Sequence, residues 1–203
     1  MARVPSCISG LLLLLAISTA VLAQDTPNTN PAVLDVAGQP LIPGTAYHVL
    51  PDSRYAGEAS GGGLTLIDRY GNQSCPFYVG QENSSQSSGL PVIFTPFFES
   101  ETVIHLQADF TAHFDAATTC VQTTTWALDE PASATGTVLL RTGTDPVYLR
   151  IVTEGDAYNL YYCPTTVCPL CRFDCGNVTV VTEGDNRLLA LRGPSLPVVF
   201  SRA

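Results

Sequence analysis

The chain has 203 residues, 45% of them hydrophobic, which suits one domain, or at most two, with a buried core. It carries 18 acidic and 9 basic residues, a formal net charge of −9, and every basic residue is an arginine. So acidic a surface repels phosphate and excludes nucleic acid as a partner; its plain consequence is solubility.

The N-terminal "MARVPSCISGLLLLLAISTAVLA" places Arg3 ahead of an apolar run that closes on Val21, Leu22 and Ala23. This is the pattern of a secretory signal cut after Ala23. The unbroken apolar core, from Leu11 to Ala16 and a little beyond, falls short of the ~20 residues that a membrane span needs, so no membrane attachment is expected. Residues 24–32, "QDTPNTNPA", read as a flexible leader, and 33–203 as the folded domain. Three sequons, at Asn72, Asn83 and Asn177, are candidate glycosylation sites on an exported chain.

From there on, helical periodicity is almost absent. Short runs of β-branched and aromatic residues follow one another, cut by Gly, Pro, Asn and Asp. In chain order they are "TAYHVL", "GLTLI", "PFYVG", "PVIF", "TVIHLQADFTAHF", "CVQTTTWAL", "GTVLLR", "VYLRIV", "AYNLYY", "NVTVV", "RLLAL" and "LPVVF". A dozen short strands at such spacing signal an all-β sandwich or barrel. In the fifth run, Ile104, Leu106, Ala108, Phe110, Ala112 and Phe114 alternate onto one face, which puts His105 and His113 on the other as solvent-facing strand residues. "VTEGD" occurs at 152–156 and again at 181–185, each time between strand candidates, and reads as a hairpin turn used twice.

"CPTTVCPLCRFDC", from Cys163 to Cys175, has the spacing C-x4-C-x2-C-x3-C. Its first three positions match the opening of a plant-type iron–sulfur ligand set, and "CPLC" is also the spacing of a redox motif or half a zinc site. The export signal decides among these. Cys7 leaves with the signal, so the seven cysteines become six. An even set in an oxidising compartment argues for three disulfides and against an iron–sulfur cluster or a zinc-thiolate site; no cofactor is expected.

Catalytic patterns are missing. There is no G-x-S-x-G elbow, no H-E-x-x-H and no Asp-Thr/Ser-Gly. Glu99 and Glu101 stand close in sequence, but two acids in a polar loop are ordinarily solvated. The chain is not expected to be an enzyme.

"PAVLDVAGQPLIPGTAYHVLP", residues 31–51, resembles the opening of the plant Kunitz-type (soybean trypsin inhibitor-like) family, of the form V-x-D-x-x-G-x-x-L-x-x-G-x-x-Y-x-[IV]-x-P. Val33, Asp35, Gly38, Leu41, Gly44, Tyr47, Val49 and Pro51 take its places. "GGGLTL", "CPFYVGQE", "GLPVIFTP", "AATTCVQTTTW", "YNLYYCP" and "RLLALRGPSLPVVF" are similar to successive family blocks, so the resemblance runs through residues 31–203. The middle resembles the cereal α-amylase/subtilisin inhibitors, and "YNLYYCPTTVCPLCRFDC" the potato inhibitors of aspartic and serine proteases.

The resemblance implies a β-trefoil: three four-strand units forming a six-stranded barrel capped by hairpins. It implies disulfides Cys75–Cys120 and Cys163–Cys175, with Cys168–Cys171 nested inside the latter, so that the cysteine cluster is a staple that stiffens a loop tip bearing Leu170. It also implies a secreted or vacuolar inhibitor, monomeric, that binds an endopeptidase through a substrate-like loop. That loop follows "GLPVIFTP" and comprises Pro96, Phe97, Phe98, Glu99 and Ser100. Aligned by proline, Phe98 enters the primary specificity pocket; aligned by the preceding strand, Glu99 does. No basic residue lies between Arg69 and Arg141, so this loop should spare trypsin and suit a chymotrypsin-like or subtilisin-like enzyme. An aspartic protease or an α-amylase remains open as target, as does a storage or defence protein without one. Arg54 in "PDSRYAGEASGGG" is an alternative anchor, on a loop whose glycines look too flexible for rigid presentation, and the stapled loop offers Leu170 and Arg172.

Overall fold

The computed structural model describes residues 29–55, 61–120, 123–129 and 137–203. The expected signal peptide, residues 1–23, and most of the expected leader lie outside the described residues. The described chain folds into β1 (Ala46–Pro51), β2 (Leu64–Ile67), β3 (Tyr78–Gln81), β4 (Val92–Pro96), β5 (Phe110–Phe114), β6 (Trp126–Leu128), β7 (Leu140–Thr142), β8 (Arg150–Glu154), β9 (Ala157–Tyr162), β10 (Gly176–Glu183), β11 (Asn186–Leu191) and β12 (Pro197–Arg202). Each falls within or overlaps one of the twelve runs.

Pairing separates these strands into a wall and a lid. In the wall, β5, β4, β1, β12, β9 and β8 pair in that order, and a bridge from Phe110 to Leu149 closes the ring. The lid consists of the hairpins β2–β3, β6–β7 and β10–β11. These meet through Leu188–Gly80, Tyr78–Arg141 and Leu139–Ala190. Six barrel strands and three capping hairpins, from three consecutive four-strand units, make a β-trefoil.

Alternation fills the barrel. Tyr47 and Val49 of β1, Val92 and Phe94 of β4, Phe110, Ala112 and Phe114 of β5, and Val198 and Phe200 of β12 all point inward and are buried. Phe94 sits at the centre of this core, with edge-on contacts to Phe110 at 5.3 Å and Phe200 at 5.7 Å. A smaller cluster of Tyr78, Leu139, Leu188 and Ala190 holds the hairpins together. Both "EGD" turns are hairpins as expected: Glu154 pairs Ala157 and Glu183 pairs Asn186. In each, the glycine takes the positive φ (59°) that a two-residue turn of type II′ requires of its first residue.

Three expectations are corrected. The fifth run is not one strand: Gln107 adopts φ 57° and breaks it, leaving only β5. Ile104, Phe110, Ala112 and Phe114 are buried as expected, but so is Asp109, on the face that should meet water. That face is covered, and His105 and His113 are half-buried on it. The end of the leader is also tied down. Leu106 N donates to the Pro31 carbonyl (2.9 Å), and His105 Nδ1 donates to that of Asn30 (2.6 Å). Finally, Gly61, Gly62 and Gly63 are not there for flexibility. A Cβ on Gly63 would overlap the Ser88 carbonyl, and one on Gly62 those of Ser84 and Ser87, so these glycines permit close backbone packing.

Candidate functional site

The loop joining β4 to β5, residues 97–109, holds the expected recognition segment. It departs from the barrel at Pro96, which is buried and paired with Phe110. Phe97 N then donates to the Asp109 carbonyl (2.8 Å), which closes the neck of the loop. The Phe97 ring is half-buried, edge-on to Tyr148 at 5.7 Å, and so belongs to the scaffold. Phe98 is 38% exposed and rests on Phe97, ring centroids 5.0 Å apart. Glu99 and Ser100 are exposed in a turn, closed where Glu101 N donates to the Phe98 carbonyl (3.1 Å). The extended strand ends at Pro96, the chain bends at Phe97 and Phe98, and Phe98 opens the turn whose centre is Glu99 and Ser100.

Behind the neck sits an ion pair that sequence reading did not find. Asp109 is 2% exposed. Its carboxylate accepts from Arg150 Nε and Nη2 and from Thr166 N (3.0 Å). Arg150 Nη2 also donates to Thr165 Oγ1 (2.8 Å) and Thr166 Oγ1 (3.3 Å). Burial of a carboxylate costs free energy unless charge and hydrogen bonds compensate, and here three donors meet it. The sequence carries no signal of this pair, since Asp109 stands on the face of its alternating run where a polar residue is ordinary.

Thr165 and Thr166 belong to the stapled loop. Disulfides join Cys163 to Cys175 and Cys168 to Cys171, and Cys75 to Cys120 elsewhere, which are the pairings the resemblance implies. The stapled loop is a succession of turns: Thr165 N donates to Cys163 O, Cys168 N to Pro164 O and Cys171 N to Cys168 O. Leu170, 96% exposed, stands at its tip. Leu170 lies in the four-residue turn that Cys168–Cys171 closes, and Arg172 follows it, exposed.

Arg54, the other alternative, is already engaged. Its guanidinium chelates the buried Asp52 carboxylate (2.7 to 3.1 Å) and donates to the Asp156 carbonyl (3.1 Å). The Arg54 hydrogen bonds hold the Asp52 carboxyl below its ordinary range. Of the sequon asparagines, Asn72 and Asn83 are exposed in turns, whereas Asn177 is half-buried in β10 opposite Tyr161.

The barrel presents a tethered, aromatic loop, and no group of three or more His, Cys, Asp or Glu that could hold a metal ion occurs among the described residues. Residues 33–202 match the model of a family described as trypsin and protease inhibitor, the Kunitz legume family. The chain is 37% identical over 180 residues to Kunitz type trypsin inhibitor 104 of Medicago truncatula, covering 84% of this chain and 87% of the relative. It is 32% identical to the α-amylase/subtilisin inhibitor of Oryza sativa subsp. japonica, covering 95% and 92%. The solved structure of the rice bifunctional α-amylase/subtilisin inhibitor superposes with a TM-score of 0.69 at 31% identity, over 86% of this chain and 99% of that one. This chain belongs to the Kunitz-type protease inhibitor family.

Proposed function

We propose that the protein is a secreted or vacuolar, monomeric inhibitor of a chymotrypsin-like or subtilisin-like endopeptidase, with Phe98 as the residue that enters the primary specificity pocket. The observation that carries this is Phe98 itself: a partly exposed aromatic two residues past the end of β4, at the start of the turn 98–101, on a loop whose neck is hydrogen-bonded shut. Rigid presentation matters because ordering a loop at the moment of binding subtracts from affinity. The placement of Glu99 inside the turn favours Phe98 over it. The absence of Arg or Lys between positions 69 and 141 argues against trypsin, whatever the relatives' names say of them. The likeness to a relative named for both α-amylase and subtilisin supports including subtilisin, and keeps α-amylase as the second reading. Glycans would sit on the exposed turns at Asn72 and Asn83, away from this loop in sequence.

The test is inhibition of trypsin, chymotrypsin, subtilisin, a pepsin-like protease, papain and α-amylase by the purified mature protein. Tight inhibition of chymotrypsin or subtilisin with trypsin spared is expected. Silence across the panel would overturn the proposal and leave a storage or defence role on the same scaffold.

A further inference from the structure

We propose that Asp109 is a positioning residue: its buried carboxylate is the joint through which the stapled loop holds segment 97–100 in the shape that enters an enzyme. This rests on the inhibitory reading of that segment.

The argument starts with what fixes Asp109. On either side of it the backbone is laced to the chain around Arg150: Gln107 N donates to Ile151 O, Phe110 N to Leu149 O, and Leu149 N back to Phe110 O, each at 2.9 Å. The carboxylate then closes over Arg150 and reaches Thr166 N of the stapled loop. Arg150 Nη2 bridges the same two partners, bonding Thr165 and Thr166 hydroxyls while it pairs with Asp109. Three segments distant in sequence therefore meet at one carboxylate.

The recognition segment takes its position from this joint twice. Its backbone is anchored where Phe97 N meets the Asp109 carbonyl. Its scaffold ring, Phe97, packs on Tyr148, two residues before Arg150. A buried ion pair is weak evidence for stability, because desolvation offsets much of its attraction. What a buried pair does supply is a single allowed arrangement, since any other leaves an uncompensated charge. A device of that kind suits a loop that must not yield inside a protease. On this account the stapled loop serves binding without touching the enzyme: its inner side, residues 164–166, buttresses the neck, and its exposed tip is incidental.

The test combines amide hydrogen exchange of the mature protein, read on peptides covering 97–101 and 164–168, with inhibition of chymotrypsin and subtilisin. Asp109→Asn keeps the size and removes the charge. It should speed exchange at 97–101 by about tenfold, the effect of roughly 1.4 kcal/mol, raise the inhibition constant by a similar factor, and allow the protease to cut after Phe98. Phe98→Ala should raise the inhibition constant and leave exchange unchanged. If Asp109→Asn does not fold, the double variant Thr165→Val, Thr166→Val, which removes only the hydroxyl acceptors, should show the same pattern more weakly. Unchanged exchange at 97–101 in a folded variant would overturn the proposal. Should the wild type inhibit neither enzyme, the inhibitory reading falls, and exchange alone still decides whether Asp109 positions the loop.

Discussion

Phe98→Ala tests the recognition segment most directly. In the free protein 38% of Phe98 remains open to water. For a side chain of roughly 200 Å², that leaves about 75 Å² to be covered by an enzyme pocket. At ~25 cal/mol per Å² the burial is worth about 2 kcal/mol, or close to thirtyfold in the inhibition constant. The contact with Phe97 at 5.0 Å sets the lower bound. If Phe98 leaves Phe97 on entering the pocket, an edge-on pair worth about 1 kcal/mol is lost, and the net effect falls to about fivefold. The substitution should therefore weaken inhibition of chymotrypsin or subtilisin by between about fivefold and thirtyfold, while lowering the melting temperature only slightly, because Phe98 lies outside both core clusters and gives up only its contact with Phe97. Progress curves for wild type, Phe98→Ala and Glu99→Ala under identical conditions provide the readout. A wild type that inhibits, with Phe98→Ala within twofold of it, would refute the placement of Phe98; a large loss in Glu99→Ala instead would move the anchor by one residue.

Other consequences are structural. Removing Cys75–Cys120 by paired serine substitution should cost about 4 kcal/mol, against about 2 for Cys168–Cys171, because the separations are 45 and 3 residues and loop-closure entropy grows with length; chemical denaturation of the two double variants gives the order. Burial pushes the Tyr78 phenol up to about 12, from the ordinary tyrosine value near 10. A raised value in the folded state means that its contribution to stability is complete below pH ~10 and is lost as pH rises through about 12. Absorbance titration at 295 nm should show a late phenol step that Tyr78→Phe lacks. Gly63→Ala should destabilise by about 2 kcal/mol through overpacking, since the new methyl meets the Ser88 backbone while Gly63 N and O are held by Ser87 and Glu82; a neutral effect on thermal unfolding would show that the close approach relaxes at no cost.

The strands were legible because a barrel strand that faces a core on one side and water on the other writes its period into the sequence. β1, β4, β5 and β12 each alternate, and each was found. What failed to show is where a second layer covers the outer face. Asp109 reads as an ordinary solvent-side residue of an alternating run, and nothing within the run announces that Arg150 and Thr166 will bury it. Those partners lie 41 and 57 residues away, brought near by trefoil closure. Likewise, three adjacent glycines report conformational freedom or close approach with equal force. Only the carbonyls of Ser84, Ser87 and Ser88, folded against them, decide for close approach.

The cysteine cluster gains its meaning from the same geometry. On chain entropy alone, Cys163–Cys175 is worth about 3 kcal/mol and the inner Cys168–Cys171 about 2 at most. Neither links two barrel strands across the core, so neither is the main stay of the fold. What they restrict is the path of residues 164–174, and with it the register of Thr165 and Thr166 over Arg150. A floppy loop could not hold two hydroxyls and a backbone N–H on one buried ion pair, because ordering them would cost about 1–2 kcal/mol per residue each time the contact formed. Cross-linking settles that entropy in advance. It follows that opening Cys163–Cys175 should loosen the neck at Phe97 before it unfolds the barrel, and that Asp109→Asn and loss of this disulfide should not add in their effect on exchange at 97–101, since both act on one joint.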